Sequence, residues 1–333
     1  MESVEDETMK EGLERAVIYN LSNGYGLGRR IAHRLGKEPS PFRGLVFDKG
    51  KRLFYPLERV EGKSLYIIQD LWGNKGERIV NLLLFIDECQ KERPKEINII
   101  IPYIPFKSYK VADRENLIVF LESLQKAGVN SLFTLDNDDP VLIKNRIIKV
   151  KTITFSQVFL PNIEYFAYKC SFLNGEITLI TPNRHYINRL KDFAFNLPGS
   201  QMVDISILDE SLHDKAFGAQ GKIKNQHILI IDESFANENR LLSISKCCMD
   251  LGAKDVRIIC THATDIHALM KPTRKHGIVS VMVSDSVPHP SLLCDEVSAS
   301  EAFALAILEH EKEIQTHFFD ANEERKSYHH PVP

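Results

Sequence analysis

No hydrophobic run in the 333-residue sequence approaches the roughly 20 apolar residues needed to cross a bilayer. The longest are short segments such as Ile97–Ile101, and that one carries Asn98. A basic surplus is missing too: 42 Lys and Arg against 45 Asp and Glu give a formal net charge of −3 and a pI near 6.5. That balance excludes a dedicated nucleic-acid binder, so neither nucleic acid nor membrane is expected as a partner. The six cysteines (Cys89, Cys170, Cys247, Cys248, Cys260 and Cys294) include no Cys-x-x-Cys pair. Buried reduced thiols in a cytoplasmic protein are therefore expected, rather than a disulfide framework or a zinc site. The acidic start, Met1-Glu-Ser-Val-Glu-Asp-Glu-Thr8, is unlike a secretory or transit peptide. What is present is 43% hydrophobic and 26% charged residues, the composition of a soluble globular protein, at a length that fits two domains.

Strand and helix patterns alternate along the chain. Apolar strands are predicted at 16–19, 64–69, 97–101, 131–135, 176–181, 202–207, 227–231, 255–260 and 278–283, most with the continuous Val/Ile/Leu character of strands buried on both faces. Helical stretches lie between them at 26–35, 77–91, 116–126, 184–195, 241–251 and 299–313. Gly36, Gly128 and Gly252 stand just past the last apolar residue of three helices, where a left-handed cap is expected. Such alternation predicts an α/β fold of two doubly wound parallel-sheet domains related by pseudo-symmetry. The less regular stretch 137–161 sets the expected boundary near Pro161: an N-terminal domain over 14–160, a C-terminal domain over 161–317, and flexible polar tails at 1–13 and 318–333. His329-His330 lies in the second tail and is read as a disordered pair. Gly24, Gly26 and Gly28 suggest a dinucleotide fingerprint, but Arg29 occupies the third glycine's place, so that motif is set aside.

The most informative stretch is Ile228-Leu-Ile-Ile-Asp-Glu-Ser-Phe-Ala-Asn-Glu-Asn-Arg240: an apolar strand, the acidic pair Asp232-Glu233 at its end, then a helix. Ligands of α/β proteins bind at such strand ends. The pair is read either as a grip on hydroxyl groups or as a cap for the next helix through its macrodipole. Asn237, Asn239 and Arg240 stand at the helix start, where free N–H groups attract anions. Without a glycine there the backbone approaches a phosphate less closely, and helix capping is the competing role.

Around this stretch the segments resemble the ribose-phosphate pyrophosphokinase (PRPP synthetase) family in order and spacing from about residue 15 to 313. The segments that carry the likeness are Ser64-Leu-Tyr-Ile-Ile-Gln69 with its helix, Ile97-Asn-Ile-Ile-Ile-Pro-Tyr103, Gly252-Ala-Lys-Asp-Val-Arg-Ile-Ile-Cys-Thr-His262, Val283-Ser-Asp-Ser-Val-Pro288 and the small-residue-rich helix 298–308. The resemblance implies phosphoribosyltransferase-like domains, Mg²⁺ and ATP as cofactor and substrate, and oligomerisation, because the family's ATP site lies at a subunit contact. It also implies that Asp232 and Glu233 hold ribose hydroxyls, with Asn237, Asn239 and Arg240 near the 5-phosphate.

Several active-site positions depart from the family's pattern. The Arg-Gln-Asp-Arg-Lys run that grips ATP is replaced by 105–113, in which Lys107 and Lys110 retain positive charge. A lysine cannot reproduce arginine's forked phosphate geometry. Two acids that meet a neighbour's adenine have become Lys49 and Lys51. The metal-binding His reads Asp138, and the metal-binding Asp of Ser-Pro-Asp reads Asn183. Both are candidate oxygen ligands for Mg²⁺, although 137–140 also reads as an Asn/Asp turn. Arg189 matches a family arginine, while the two glycines before it have become His185 and Tyr186. The catalytic Lys-Arg-Arg has become Asp209-Glu210-Ser211, which sets carboxylates where transfer needs cations.

Three functions follow as expectations. The first is a catalytically impaired family member acting as a non-catalytic or regulatory partner, as a homo-oligomer or with an active PRPP synthetase, and binding ATP/ADP or ribose 5-phosphate. The second is an active but divergent ribose-phosphate diphosphokinase, in which Lys107, Lys110, Lys215 or Lys222 replaces the missing cations. The third is a stand-alone nucleotide or sugar-phosphate sensor. Mg²⁺ is compatible with all three and required by none, and no catalytic residue is assigned.

Overall fold

The computed structural model describes residues 13–22, 26–46, 52–106, 111–137, 139–169, 177–182, 186–197, 203–207, 223–234, 238–264, 277–288 and 294–327. The chain divides into two compact units. The first takes 1–134, 138–152 and 300–333, and the second takes 135–137 and 153–299.

The first unit is built on a five-stranded sheet in chain order: β1 (Ala16–Asn20), β4 (Ser64–Ile68), β5 (Glu96–Ile100), β6 (Ser131–Leu135) and β7 (Lys149–Ile153). β1, β4, β5 and β6 pair in parallel. An antiparallel hairpin of β2 (Phe42–Val46) and β3 (Arg52–Pro56) stands apart, in the register Phe42↔Pro56. The helices are α1 (Leu27–Arg34), α2 (Lys75–Gln90), α3 (Val111–Lys126), the short α4 (Pro140–Lys144) and α8 (Ser300–Ser327). Alternation along the strands sorts their side chains onto two faces. Val17, Tyr19, Leu65, Ile67, Ile97 and Ile99 join Leu82, Phe85 and Ile86 of α2 and Leu117, Leu121 and Leu124 of α3 in one core. The ring of Phe85 meets Tyr19 at 5.0 Å and Phe42 at 5.5 Å, both edge to face.

The opposite face carries Tyr66 and Phe133, and α8 lies there, packing on α1 as well. Tyr66 donates to Glu311 Oε1 at 2.7 Å, His310 Nε2 lies 3.3 Å from Asn98 Oδ1, and the Phe133 ring is 5.4 Å from that of His310.

The second unit holds α5 (Phe155–Lys169), α6 (Ile187–Asn196), α7 (Glu238–Asp250) and six strands: β8 (Ile177–Thr181), β9 (Val203–Ile207), β10 (His227–Ser234), β11 (Asp255–His262), β12 (Ile278–Ser284) and β13 (Asp295–Val297). The sheet runs β13-β12-β11-β10-β8-β9, and every pair is parallel. The chain leaves β8 toward β9 on one side and continues from β10 on the other. The topological switch therefore lies between β8 and β10. Ile228, Ile230, Val256, Ile258 and Val283 pack with Leu241, Ile244 and Cys248 of α7, while Phe155 of α5 meets Phe193 of α6 at 4.9 Å.

All nine predicted strands are present within a residue or so at most ends, and Gly36, Gly128 and Gly252 take φ of 67°, 89° and 87°. Four expectations need correction. The stretch 137–161 is not irregular: it contains α4, β7 and the start of α5. The expected boundary near Pro161 falls inside α5, an exposed position the helix tolerates because Phe155, Val158, Phe159 and Ile163 anchor its buried face. The crossing lies instead at 152–153, and α8 returns to the first unit, so the predicted 161–317 domain ends too late. Finally, 318–327 is helix rather than tail, as the last turns of α8; 1–12 and His329-His330 lie outside the described residues.

Among the described residues no helix is long and apolar enough to cross a membrane. The described cysteines are free thiols. Burial, with nearby carboxylates, pushes Cys89 up to about 12 and Cys294 to about 11. Burial and the neighbouring Cys247 push Cys248 up to about 12. These thiols are therefore protonated and inert at neutral pH.

Candidate functional site

In a parallel sheet the carboxyl ends of the strands, next to a switch point, form the ligand edge. On the second unit this edge holds Thr181, Asp232-Glu233, Thr261-His262 and Ser284-Asp285-Ser286, all buried. β10 runs three residues past its predicted end, to Ser234, with Asp232 paired to Cys260 and Ser234 to His262. The acidic pair therefore lies inside the ladder. Adjacent residues of a strand face opposite sides, so the two carboxylates address different faces of the sheet. Asp232 Oδ1 accepts the Glu233 N–H at 2.8 Å. This placement leaves helix capping little support, because α7 starts only at Glu238.

The densest polar cluster of this edge centres on Asp136. Asp136 is fully buried with φ of 49°, a left-handed conformation uncommon outside glycine. Its Oδ2 accepts the hydroxyls of Tyr186 and Thr261, and its Oδ1 pairs with Arg189 Nη1 at 2.7 Å. Arg189 also donates to the Asp136 carbonyl at 3.2 Å, and its guanidinium lies 4.6 Å from the centre of the Tyr186 ring. Tyr186 stands at the N-cap of α6 without capping it, because its buried side chain turns inward to the carboxylate. Alongside, His262 Nδ1 lies 2.7 Å from Ser286 Oγ, and Ser284 and Ser286 both donate to the Thr261 carbonyl. His262 thus closes β11 within a hydroxyl network. Asp285 caps the chain after β13, accepting from Ala299 N at 2.8 Å and Ser298 Oγ at 2.6 Å.

On the first unit the ligand edge holds Ser22, Asp70, Trp72 and Tyr103. Asp70, only 2% exposed, pairs with Arg78 of α2. Gly28 presses α1 against Asn20 at this edge: a Cβ there would lie 2.6 Å from the Asn20 side chain. Close packing therefore explains Gly28 without any dinucleotide; Gly24 is outside the described residues.

Of the predicted site residues, Asp232, Glu233 and Arg189 are described with their surroundings. Asn239 and Arg240 lie in the first turn of α7. Lys107, Lys110, Asp138, Asn183 and Asn237 lie outside the described residues, as do Lys49, Lys51, Asp209, Glu210, Ser211, Lys215 and Lys222. Among the described residues no three His, Cys, Asp or Glu side chains converge as metal ligands. The carboxylate nearest in sequence to Asp138, that of Asp136, already holds an arginine and two hydroxyls. Sequence reasoning missed Asp136 and its anchoring of Arg189; the one available signal was the large Tyr186 where the resemblance has a glycine.

Two parallel α/β units with polar ligand edges define a protein of the phosphoribosyltransferase-like class. Comparison with known proteins shows what the chain is similar to. Residues 16–127 match the model of the N-terminal domain of ribose phosphate pyrophosphokinase. A ribose-phosphate pyrophosphokinase of Ureaplasma parvum is 26% identical over 255 residues, covering 74% of each chain. One from Oceanobacillus iheyensis is 22% identical over 298 residues, covering 87% of this chain and 90% of its own. The crystal structure of phosphoribosylpyrophosphate synthetase from Mycobacterium smegmatis superposes with a TM-score of 0.72 at 17% identity, over 88% of this chain and 97% of that one. The chain is thus similar to ribose-phosphate pyrophosphokinases, in residues 16–127 by the family model and along most of its length by fold.

Proposed function

We propose that this chain is a family member that has lost pyrophosphoryl transfer and serves, in the cytoplasm, as a non-catalytic partner of an active PRPP synthetase. The observation that carries this reading is the sequence after β9, where Asp209-Glu210-Ser211 replaces the cations of the family's pattern. Transfer gathers negative charge on phosphoryl oxygens, and carboxylates there repel what they should neutralise. Arg189 adds support: it matches the family, but it is spent on Asp136 and Tyr186. Asp232 and Glu233, with Asn237, Asn239 and Arg240, then serve at most to bind a ribose phosphate, and any Mg²⁺ arrives on nucleotide phosphates rather than in a protein cage. The names of the relatives favour one competing reading, an active ribose-phosphate diphosphokinase that rebuilds its cations from Lys107, Lys110, Lys215 or Lys222.

The partner role is tested by titrating the purified chain into an active synthetase of the same cell and following mass by light scattering alongside the rate of AMP formation. A mixed particle with an altered rate is expected. A chain that stays apart and leaves the rate unchanged contradicts the role. Lys49 and Lys51 favour the mixed particle, since two facing copies would add positive charge at the contact that an acidic or nucleotide-filled neighbour tolerates better.

A further inference from the structure

His310 of α8 is only 3% exposed, buried against the face of the first unit's sheet that carries Tyr66 and Phe133. Those two rings stand edge to face with the imidazole at 6.3 and 5.4 Å. Acceptor oxygens face both ring nitrogens. Nε2 lies 3.3 Å from Asn98 Oδ1 and 3.4 Å from Glu96 Oε2, both from β5. Nδ1 has no hydrogen-bond partner among the described residues and faces Glu313 Oε2 at 3.8 Å, one turn further along α8.

A neutral imidazole carries one N–H and one lone pair. Either tautomer therefore turns a lone pair toward a carboxylate: Nδ1 toward Glu313, or Nε2 toward Glu96. These two groups are acceptors whichever way the Asn98 amide is turned. Only the imidazolium, with two N–H donors, meets both sides. The surrounding charges divide. Glu96, Glu311 and Glu313 favour the cation, while Lys95, Lys149 and Lys151, with Lys37 by Glu311, oppose it. Burial keeps Tyr66 neutral, and its hydroxyl is spent on Glu311. The two lysines of β7 also hold Glu313 down to about 2, so the anion that faces Nδ1 persists at neutral pH.

We propose that His310 is a proton-operated latch: as an imidazolium it joins the carboxylates of Glu96 and Glu313 and holds α8 on β5, and on losing its proton it loosens that grip. Imidazole is the side chain that ordinarily changes charge between about pH 5 and 8. The latch favours the docked helix when protonated, so its contribution is full on the acid side of that range and is lost as pH rises through it. It acts on helix docking, goes beyond the partner role and can fail separately from it. Hydrogen exchange of the full chain from about pH 5.5 to 8.5, corrected for the intrinsic pH dependence of exchange, tests it. A Glu311→Gln background removes a neighbouring carboxylate whose titration burial moves upward. There the protection of α8 should fall about 10-fold as pH rises, the change that one hydrogen bond to a charged group supports. Adding His310→Gln should flatten the fall. Adding Glu96→Gln instead takes away one anion and should move the midpoint of the fall to lower pH; this variant decides if His310→Gln does not fold. The proposal is overturned if protection does not fall over this range, if His310→Gln leaves the fall intact, or if Glu96→Gln leaves its midpoint in place.

Discussion

Asp136 shows what single residues contribute. Its carboxylate is fully buried, and such a charge is tolerated only when paired and hydrogen-bonded. Its partners lie far along the chain: Tyr186 is 50 residues away and Thr261 is 125. Local sequence carries no signal for such a cluster, which is why Asp136 was not singled out beside the Asn/Asp turn at 137–140. What was legible was the acidic pair Asp232-Glu233 near the carboxyl end of a buried strand, although β10 runs on to Ser234. Tyr186→Phe keeps the ring under Arg189 and removes one hydrogen bond to a buried charge. It should cost about 1.5–3 kcal/mol, measured by urea unfolding, with the second unit's transition moving if the two units melt separately. An unchanged midpoint would show that the phenol does not hold the carboxylate.

The strands that sequence showed plainly are the continuous Val/Ile/Leu runs buried on both faces. β7 (Lys149-Val-Lys-Thr-Ile153) was missed because its lysines read as solvent-facing loop, and α5 because Pro161 removes a helical N–H. The lysines of β7 have a specific task. Lys149 and Lys151 reach Glu313 of α8 at 2.8 and 2.9 Å. Burial opposes the Glu313 carboxylate, but the two ammoniums outweigh it and hold it down to about 2. Glu311, two residues earlier, is pushed up by burial, with the Tyr66 hydroxyl only partly offsetting it.

The two glutamates therefore give opposite pH dependence. Glu313, depressed in the folded state, stabilises above the ordinary carboxylate range and loses that contribution as pH falls toward about 2. Glu311, raised, favours the docked helix below that range and loses its contribution as pH rises through its folded value. In hydrogen exchange followed as a function of pH, Glu313→Gln should lower the protection of α8 at neutral pH and flatten its loss between about pH 5 and 2, while Glu311→Gln should raise protection at neutral pH. Identical profiles for both variants would show that these side chains do not set the docking of α8.

The whole molecule was partly legible as well. Alternating strands and helices predicted two α/β units, and the order of segments predicted the likeness to ribose-phosphate pyrophosphokinases. The return of α8 to the first unit was not legible, because contacts such as Tyr66 with Glu311, 245 residues apart, leave no periodic trace. Function at this scale turns on charge. The fold is similar to that of phosphoribosylpyrophosphate synthetase, and the proposed loss of transfer rests on the carboxylates Asp209-Glu210 that follow β9 in the sequence. Lost electrostatic stabilisers each cost on the order of 10²–10³ in rate. The most direct test is AMP release from ATP and ribose 5-phosphate with Mg²⁺ by the purified chain alone. We predict release at or near the uncatalysed background. Turnover on the order of 1–100 per second, as in ordinary kinases, would contradict the loss of transfer and make the chain a working synthetase.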